Sequence, residues 1–386
     1  MPTNVRVANY HRKSRGAFFT PPVIARHIAN WAIRSPTDRV LDPSCGDGVF
    51  LLEAAQRLAD MGRSPQQIAH QIQGIELDPG DAAICRARLR HALCGHEPRV
   101  VVCDFLSAFR NGLHEQRFTA VVGNPPYIRY QSFNGPSREA ALEIVSGFGI
   151  RPNKLMNSWV PFVLAAGHLT EDDGRLGMVL PAELLQVTYA APVRQVLKRT
   201  FKRIVIEGFA SLVFPGVEEE TVILLASRSG GNLLRFVELA GLDDLSDDTD
   251  LTADYAPESG EGWADEESPV RWAAGKWTEL LLTRRERTLL NECASHPAVV
   301  RLGELAEVDV GVVTGANGFF ILDASAAESL NAQGYLLPAV PRTSHIRGVI
   351  YSQRDFEENR RAGLRCQMLV IPSERGARLP DGLRKY

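Results

Sequence analysis

Four residues at positions 124–127 carry the most specific chemistry in this sequence. Asn124-Pro125-Pro126-Tyr127 directly follows an apolar run at 120–123. Two adjacent prolines fix the backbone and remove two N–H donors, so carbonyl oxygens and the Asn124 side chain face one small space. The Asn124 side-chain oxygen and the Pro125 carbonyl can accept both hydrogens of a planar amine such as adenine N6, and the Tyr127 ring offers a stacking face. The motif indicates a site for such an amine; an ordinary Pro-Pro turn at a strand end is the alternative.

A second group of polar residues follows an earlier apolar stretch that ends at Asp42. The turn Pro43-Ser44-Cys45-Gly46-Asp47-Gly48 comes next and leads into an amphipathic segment. Its glycine spacing fits neither the dinucleotide motif G-x-G-x-x-G nor the Gly-Lys-Ser/Thr ending of a phosphate-binding loop. Two carboxylates beside glycines favour a positively charged ligand, and the ammonium and sulfonium groups of S-adenosylmethionine meet that description. An ordinary turn between a strand and a helix is the alternative.

Carboxylates also end the next two apolar stretches, at Glu76 and Asp104. Glu76 suits the two hydroxyls of a ribose, with Asp78 as the cap of the following helix. Asp104 can accept from an adenine amino group, and the adjacent Phe105 can cover the ring. Because the carboxyl ends of parallel strands meet at one edge of a sheet, we expect a single site there. The polar residues at four successive strand ends would line this site: Asp42, Glu76, Asp104 and Asn124.

The elements that must position these residues follow from the apolar pattern. Helical patterns separate most of the apolar stretches, and the clearest late helix spans 189–200. This alternation predicts an α/β fold with one doubly wound, Rossmann-like sheet of about seven strands. Residues 131–151 look like a loop, either a lid over the site or a plain surface loop. The predicted strands lie near 39–41, 71–77, 99–103, 120–123, 175–180, 202–207 and 221–227.

Taken together, these motifs resemble the adenine-N6 DNA methyltransferases of restriction–modification systems, in the gamma order that places the cofactor motif ahead of the catalytic one. The resemblance covers roughly residues 14–228. It implies a class I methyltransferase sheet, S-adenosylmethionine as cofactor and double-stranded DNA as substrate. It also implies that the target adenine leaves the duplex before it is methylated.

The resemblance assigns roles to further residues. Segment 16–22 resembles a stretch that contacts the methionine part of the cofactor, and segment 157–162 is similar to a helix that supplies an aromatic ring to the cofactor adenine. Segment 213–217 resembles a turn whose aromatic stacks on the flipped base. The implied catalytic residues are Asn124, Pro125, Pro126, Tyr127 and Phe214. The implied cofactor-binding residues are Phe19, Thr20, Asp42, Ser44, Cys45, Gly46, Glu76, Leu77, Asp104, Phe105, Asn124 and Phe162.

Charge is distributed unevenly along the 386 residues, whose net charge is −3. Eleven acids and no Lys or Arg lie between 241 and 270, so the remainder of the chain is net basic, as expected of a DNA-binding protein. We therefore expect a methyltransferase domain at 1–235, an acidic linker at 236–270 and a smaller, partial target-recognition region at 271–386. Because recognition regions of the resembling family are commonly larger, we expect a truncated or split member, with a nuclease or specificity partner acting in trans.

Other classes of protein are disfavoured by composition. The sequence has no run of about eighteen apolar residues and no signal peptide, which predicts a cytoplasmic protein without a membrane segment. Six cysteines form no C-x-x-C pair, and the nine histidines do not join them at ligand spacing, so neither disulfides nor a metal site is predicted. Cys45 lies in the predicted cofactor loop, which disfavours a cysteine nucleophile that attacks a cytosine ring.

Three alternatives to adenine-N6 methylation remain open. Cytosine-N4 methylation uses a similar motif, although that branch more often begins the motif with Ser or Asp. A protein glutamine N5-methyltransferase also uses Asn-Pro-Pro-Tyr, but such enzymes resemble a helical domain placed before the fold and little after it. Here about 160 residues follow the last core strand, which favours DNA. An inactive specificity or defence subunit is the third alternative, and the complete motif argues against it.

Overall fold

The computed structural model describes residues 20–128, 135–153, 156–210, 220–245, 276–300, 302–307, 312, 314–346, 348–371 and 379–386. The chain divides into two compact units, Met1–Val299 and Val300–Tyr386. In the described part of the chain, no helix combines the length and the apolar character needed to cross a membrane.

Eight strands of the first unit form one sheet, in the order β3-β2-β1-β4-β5-β7-β6-β8. All neighbouring strands are parallel except β7, which runs antiparallel to both β5 and β6. The predicted doubly wound α/β fold is confirmed. The strands are β1 (Val40–Asp42), β2 (Ile72–Glu76), β3 (Arg99–Val102), β4 (Phe118–Gly123), β5 (Thr170–Pro181), β6 (Arg203–Phe209), β7 (Thr221–Ser227) and β8 (Leu233–Leu239).

The eighth strand was not expected from the sequence. β8 pairs with β6 in parallel, and most of its side chains are half-buried. Arg235 and Glu238 interrupt its apolar pattern, so the segment lacks the continuous apolar run of a buried strand. It also crosses residue 235, where the methyltransferase domain was predicted to end. The division into domains remains a prediction, but the sheet itself continues to Leu239.

Helices cover both faces of the sheet, because successive strand residues point to opposite sides. In β4, for example, Val121 belongs to one core, and Ala120 and Val122 belong to the other. A buried contact of 2.8 Å between His27 Nε2 and Glu207 Oε2 joins the first helix to β6. The helices are α1 (Pro22–Ala32), α2 (Val49–Asp60), α3 (Pro65–Gln71), α4 (Pro79–Ala92), α5 (Phe105–Arg110), α6 (Gly135–Gly147), α7 (Trp159–Leu169), α8 (Glu183–Gln186), α9 (Ala191–Thr200) and α10 (Arg284–Ser295).

Helix α6 corrects the prediction of a loop at 131–151. Ala140, Ala141, Ile144 and Val145 form an apolar stripe at helical spacing and are buried in the core. The Gly135-Pro136 pair suggested a loop, yet proline is well tolerated in the first turn of a helix. Residues 129–134 lie outside the described residues.

The chain returns to the first unit after the acidic segment. Trp277 is buried in the core that α5, α6 and α7 share, and its backbone N–H donates to the Leu185 carbonyl at 2.7 Å. Helix α10 follows, and the compact unit extends to Val299. Residues beyond the predicted linker therefore contribute to the core of the first unit.

The second unit has its own small sheet and core. Its strands are antiparallel in the order β10-β11-β9, and Leu322, Ala327 and Leu369 are among its buried residues. Its elements are α11 (Leu302–Leu305), α12 (Asn317–Phe320), β9 (Ile321–Leu322), α13 (Ala324–Ser329), β10 (Leu336–Pro338), α14 (Gln353–Arg361), β11 (Gln367–Leu369) and α15 (Asp381–Lys385).

Candidate active site

The carboxyl ends of β2, β1 and β4 lie side by side, and hydrogen bonds join the loops that follow them. Strand β1 pairs with β2 on one side and β4 on the other. The Ser44 hydroxyl donates to the Asn124 carbonyl at 3.1 Å, and the Gly46 N–H donates to Glu76 Oε2 at 2.8 Å. The structure thus brings the loop after β1 into contact with the polar residues at the neighbouring strand ends.

Glu76 is fixed by two backbone donors. Oε2 accepts from Gly46, and Oε1 accepts from the Asp78 N–H at 2.8 Å. Asp78 in turn caps helix α4 by accepting from Gly80 and Asp81, as its position before Pro79 suggested. An ionised carboxylate has about four acceptor positions. Glu76 therefore has capacity left for further donors such as ribose hydroxyls.

Asp42 is fully buried at the end of β1. Its Oδ1 accepts from the Ser44 N–H at 3.0 Å, and among the described residues Oδ2 has no hydrogen-bond partner. Burial, with a smaller contribution from the negative charge of Glu76, raises the pKa of Asp42 to about 8. A Cβ on Gly123 would lie 2.7 Å from Asp42 Oδ1, so only glycine fits at the end of β4.

Cys45 faces the core beneath the loop. Its thiol is 3% exposed and shares a hydrogen bond with Cys85, which together with burial raises the pKa of Cys45 far above its ordinary range. A Cβ on Gly74 would lie 2.8 Å from Cys45 Sγ, and one on Gly48 would lie 2.7 Å from Cys85 Sγ. The thiol therefore packs under the loop as a protonated group, which makes it a poor nucleophile.

Asn124 presents a buried acceptor. Its Nδ2 donates to the Thr20 hydroxyl at 3.2 Å, while Oδ1 has no hydrogen-bond partner among the described residues. Thr20 is itself 6% exposed and directly precedes the Pro21-Pro22 start of α1. The sequence assigned Thr20 to the cofactor, but the structure places its hydroxyl against Asn124. A buried carbonyl-type oxygen without a donor is costly, which makes Asn124 Oδ1 the strongest candidate for a ligand contact.

The rest of the 124–127 motif is held by two further elements. The Tyr127 hydroxyl donates to the Val179 carbonyl of β5 at 3.0 Å, and its ring is 8% exposed. The Ser158 hydroxyl contacts the Pro126 carbonyl and accepts from the Ile128 N–H at 2.7 Å. Ser158 is a functional candidate that sequence reasoning missed, because a serine before a helix indicates an N-cap.

Asp104, Phe105 and Phe162 lie at and around the start of α5, and their roles in cofactor binding stay predictions. Asp104 caps α5, because its Oδ2 accepts from the Ser107 N–H at 2.9 Å and from the Ser107 hydroxyl at 2.6 Å. Phe105 is 2% exposed and lies with its ring centroid 5.0 Å from that of Phe162, which is 6% exposed. An Asp before a helix is a strong cap, and the next residue faces the core. Both rings thus face each other in the core, whereas Leu77 is 60% exposed.

Comparison with protein families shows the family to which this chain belongs. The family model described as N-6 DNA Methylase matches residues 5–227. The chain belongs to the N-6 DNA methylase family. The resemblance drawn from the motifs is thereby confirmed. Residues 274–386 of the chain also match a second model, the C-terminal domain of the Type II methyltransferase M.Eco57I.

Curated relatives of this family member include two Type II methyltransferases. M.XamI from Xanthomonas campestris pv. amaranthicola is 27% identical over 323 residues, which is 81% of this chain and 54% of M.XamI. M.AccI from Acinetobacter calcoaceticus is 23% identical over 358 residues, which is 90% of this chain and 61% of M.AccI. The chain thus spans little more than half the length of these relatives.

Two solved structures share the fold of this chain. The cryoEM structure of the DrdV–DNA complex matches with a TM-score of 0.60 and 14% identity, over 94% of this chain and 44% of that one. A nuclease-deletion mutant of the Type ISP restriction–modification enzyme LlaGI, in complex with a DNA substrate mimic, matches with a TM-score of 0.51 and 16% identity. The match covers 59% of this chain and 28% of LlaGI.

Two of the predicted site residues, Phe19 and Phe214, lie outside the described residues. Their roles therefore stay predictions. Across the described ranges, no group of three or more His, Cys, Asp or Glu side chains is arranged to hold a metal ion.

Proposed function

We propose that this chain methylates adenine N6 at specific sites in double-stranded DNA, with S-adenosylmethionine as the methyl donor, as part of a restriction–modification or phage-defence system. The observation that carries the proposal is Asn124 Oδ1, a buried acceptor without a partner among the described residues, on a loop that contacts the candidate cofactor loop through Ser44. Family membership supports DNA methylation, and the family name supports adenine N6 as the acceptor.

Asn124 is placed to accept a hydrogen bond from an amino group that is conjugated to an aromatic ring. The N6 lone pair is delocalised into the purine ring, so acceptors that draw the amino hydrogens out of the ring plane restore its nucleophilicity. Asn124 Oδ1 is one acceptor, because Thr20 already occupies the Nδ2 end of the same amide. The Pro125 carbonyl is the proposed second acceptor. Both would also stabilise the positive charge that develops on nitrogen during transfer.

The residues around Asp42 fit S-adenosylmethionine. When bound, that cofactor supplies an electrophilic methyl group on a sulfonium. Asp42 offers a buried oxygen without a partner among the described residues, which a cationic or N–H group would satisfy. Glu76 offers fixed acceptors for ribose hydroxyls, and Leu77 offers an exposed apolar side chain beside them. We propose these three residues as the cofactor-binding side of the site.

Two features of the proposed enzyme concern DNA: extrusion of the target base and the C-terminal region. Adenine N6 lies inside a base pair, so the base must leave the duplex to reach Asn124. We propose that Tyr127, and Phe214 by resemblance, stack on the flipped base, since the hydroxyl contact with Val179 fixes the Tyr127 ring in place. Residues 274–386 match the C-terminal domain of the Type II methyltransferase M.Eco57I, and by the resemblance we propose that this region recognises the target sequence. A nuclease or specificity subunit would act in trans.

Analysis of methylated nucleosides tests the proposal. The chain would be incubated with duplex DNA of mixed sequence and methyl-labelled S-adenosylmethionine, and the DNA would then be digested to nucleosides for mass spectrometry. We expect label in N6-methyl-2′-deoxyadenosine, and its loss in the Asn124→Ala variant. Label in N4-methyl-2′-deoxycytidine would support the cytosine alternative. Label in an added translation factor but not in DNA would support the glutamine alternative.

A further inference from the structure

Ser158 makes three contacts with the segment that follows Asn124. Its hydroxyl contacts the Pro126 carbonyl as donor and accepts from the Ile128 N–H at 2.7 Å. Its own backbone N–H donates to the Ile128 carbonyl at 2.9 Å. Ser158 is 4% exposed, so water does not compete effectively for these contacts. Backbone groups on both sides of Tyr127 are thus bound to a single residue that lies outside the motif.

Helix capping does not explain this serine. Ser158 occupies the N-cap position of α7, where a serine hydroxyl normally accepts from the helix N–H groups. Here the residue has helical backbone angles, φ −60° and ψ −27°, and its side chain makes no capping hydrogen bond. The hydroxyl is directed to the catalytic loop instead. The residue next to it, Trp159, is completely buried and anchors the start of α7 in the core.

The two serines of the site bind alternate carbonyls of the motif. Ser44 donates to the Asn124 carbonyl and Ser158 to the Pro126 carbonyl, so the Pro125 carbonyl lies between two fixed peptide groups. The proline rings restrict φ in this segment as well. With both neighbours held, the direction of the Pro125 carbonyl is determined by elements on opposite sides of the loop.

We propose that Ser158 is a positioning residue for methyl transfer, which sets the direction of the Pro125 carbonyl and the plane of the Tyr127 ring relative to Asn124 Oδ1. This inference rests on the proposed function, because it gives Pro125 the role of second acceptor. Ser158 acts through the loop and does not itself contact the base. Loss of its hydroxyl misdirects the acceptor without removing it.

The test compares Ser158→Ala and Ser158→Thr with Ser227→Ala as a matched control. Ser227 is 3% exposed, and its hydroxyl also holds a neighbouring loop, through the Ser229 carbonyl at 3.3 Å and the Ser229 hydroxyl at 3.1 Å. It pairs with Arg175 in the middle of β5 and with Arg203 at the amino end of β6, whereas the site lies at the carboxyl ends of the parallel strands. The control therefore removes an equally buried hydroxyl whose partners in Ser229 lie outside the motif.

Three quantities would be measured on the 386-residue chain: the single-turnover rate of DNA methylation, the Kd of S-adenosylmethionine, and the amide hydrogen exchange of Ile128. We expect Ser158→Ala to lower the rate by about 10- to 100-fold, as small misplacements of reacting groups do, with cofactor Kd within about twofold of wild type. Ile128 should exchange faster because its acceptor is gone. Ser158→Thr should restore most of the rate, and Ser227→Ala should match wild type.

The outcomes separate this inference from the proposed function. An active wild type whose Ser158→Ala variant retains its rate would overturn the positioning role, as would an equal loss in Ser227→Ala. Equal loss of rate and cofactor affinity in Ser158→Ala would show general damage to the site. A wild type that binds cofactor but methylates neither adenine nor cytosine would overturn the proposed function and this inference with it. In that case Ile128 exchange would still report whether Ser158 holds the loop.

Discussion

Binding of S-adenosylmethionine is expected to release a proton from Asp42. Burial raises the pKa of this carboxyl to about 8, so roughly nine tenths of the molecules carry its proton at pH 7. A positive charge within hydrogen-bonding distance favours the ionised form, and Oδ2 is available to meet it among the described residues. Opposite charges lower a carboxyl pKa enough to release about 0.4 to 0.9 proton per bound cofactor at pH 7.

Isothermal titration calorimetry in buffers of different ionisation enthalpy measures this release directly. The observed binding enthalpy should vary linearly with buffer ionisation enthalpy, and the slope gives the number of protons exchanged. The Asp42→Asn variant is the control, because the cofactor's own amino group titrates equally with both proteins. The proton release given by the wild-type slope should exceed that of the variant by about 0.4 to 0.9 proton per bound cofactor. Identical slopes would refute the assignment of Asp42 to the cofactor's positive charge.

The same carboxyl should make the unliganded protein lose stability as the pH rises. The folded-state pKa of Asp42, about 8, lies above the ordinary value of 3.8, so the folded protein keeps a proton that the unfolded chain releases. Stability from this group is therefore lost between those two pH values, by about 1.4 kcal/mol per pH unit. In denaturant titrations at several pH values, the free energy of unfolding of wild type should fall with pH more steeply than that of Asp42→Asn, by about that amount.

Other substitutions test separate parts of the site. Asn124→Ala should lower the single-turnover rate about 10²–10³-fold. Its unfolding free energy should change little, since losing one bond to Thr20 is offset by removing a buried oxygen without a donor. Gly123→Ala should weaken cofactor binding in calorimetry, because the new methyl group would lie 2.7 Å from Asp42 Oδ1 and would displace that carboxyl. An unchanged cofactor affinity would show that the Asp42 carboxyl is not displaced or does not bind the cofactor. Tyr127→Ala should slow methylation of a paired adenine more than of a mispaired one, which costs less to extrude, and equal slowing would argue against stacking.

Local signals in the sequence predicted which residues share one edge of the sheet. Strand ends marked by Asp42, Glu76 and Asn124 depend only on where apolar runs stop, and the parallel sheet then places them together. Their roles stay predictions, and one residue can fit two roles. Asp104 caps a helix and Phe105 faces the core, and a short Asp-Phe sequence is equally compatible with ligand binding.

Sequence patterns could not predict contacts between segments that are far apart along the chain. The Thr20 contact with Asn124 spans 104 positions, and the Ser158 contact with Ile128 spans 30. Neither leaves a periodic signal. For the same reason, the predicted sheet domain ended at residue 235, within β8, and left Trp277 outside. A half-polar edge strand has the same sequence pattern as a linker, and a single tryptophan gives no sign of whether it lies in a core.

Leu245 and Trp277 both lie in cores of the first unit, although the acidic segment at 246–275 separates them along the chain. That segment leaves from and returns to the same body. Because both flanks of the segment are held in cores of one unit, a change in its length changes only the size of a closed loop. The entropy of closing a loop grows slowly with its length, so doubling this segment should lower the free energy of unfolding by only about 0.6 kcal/mol.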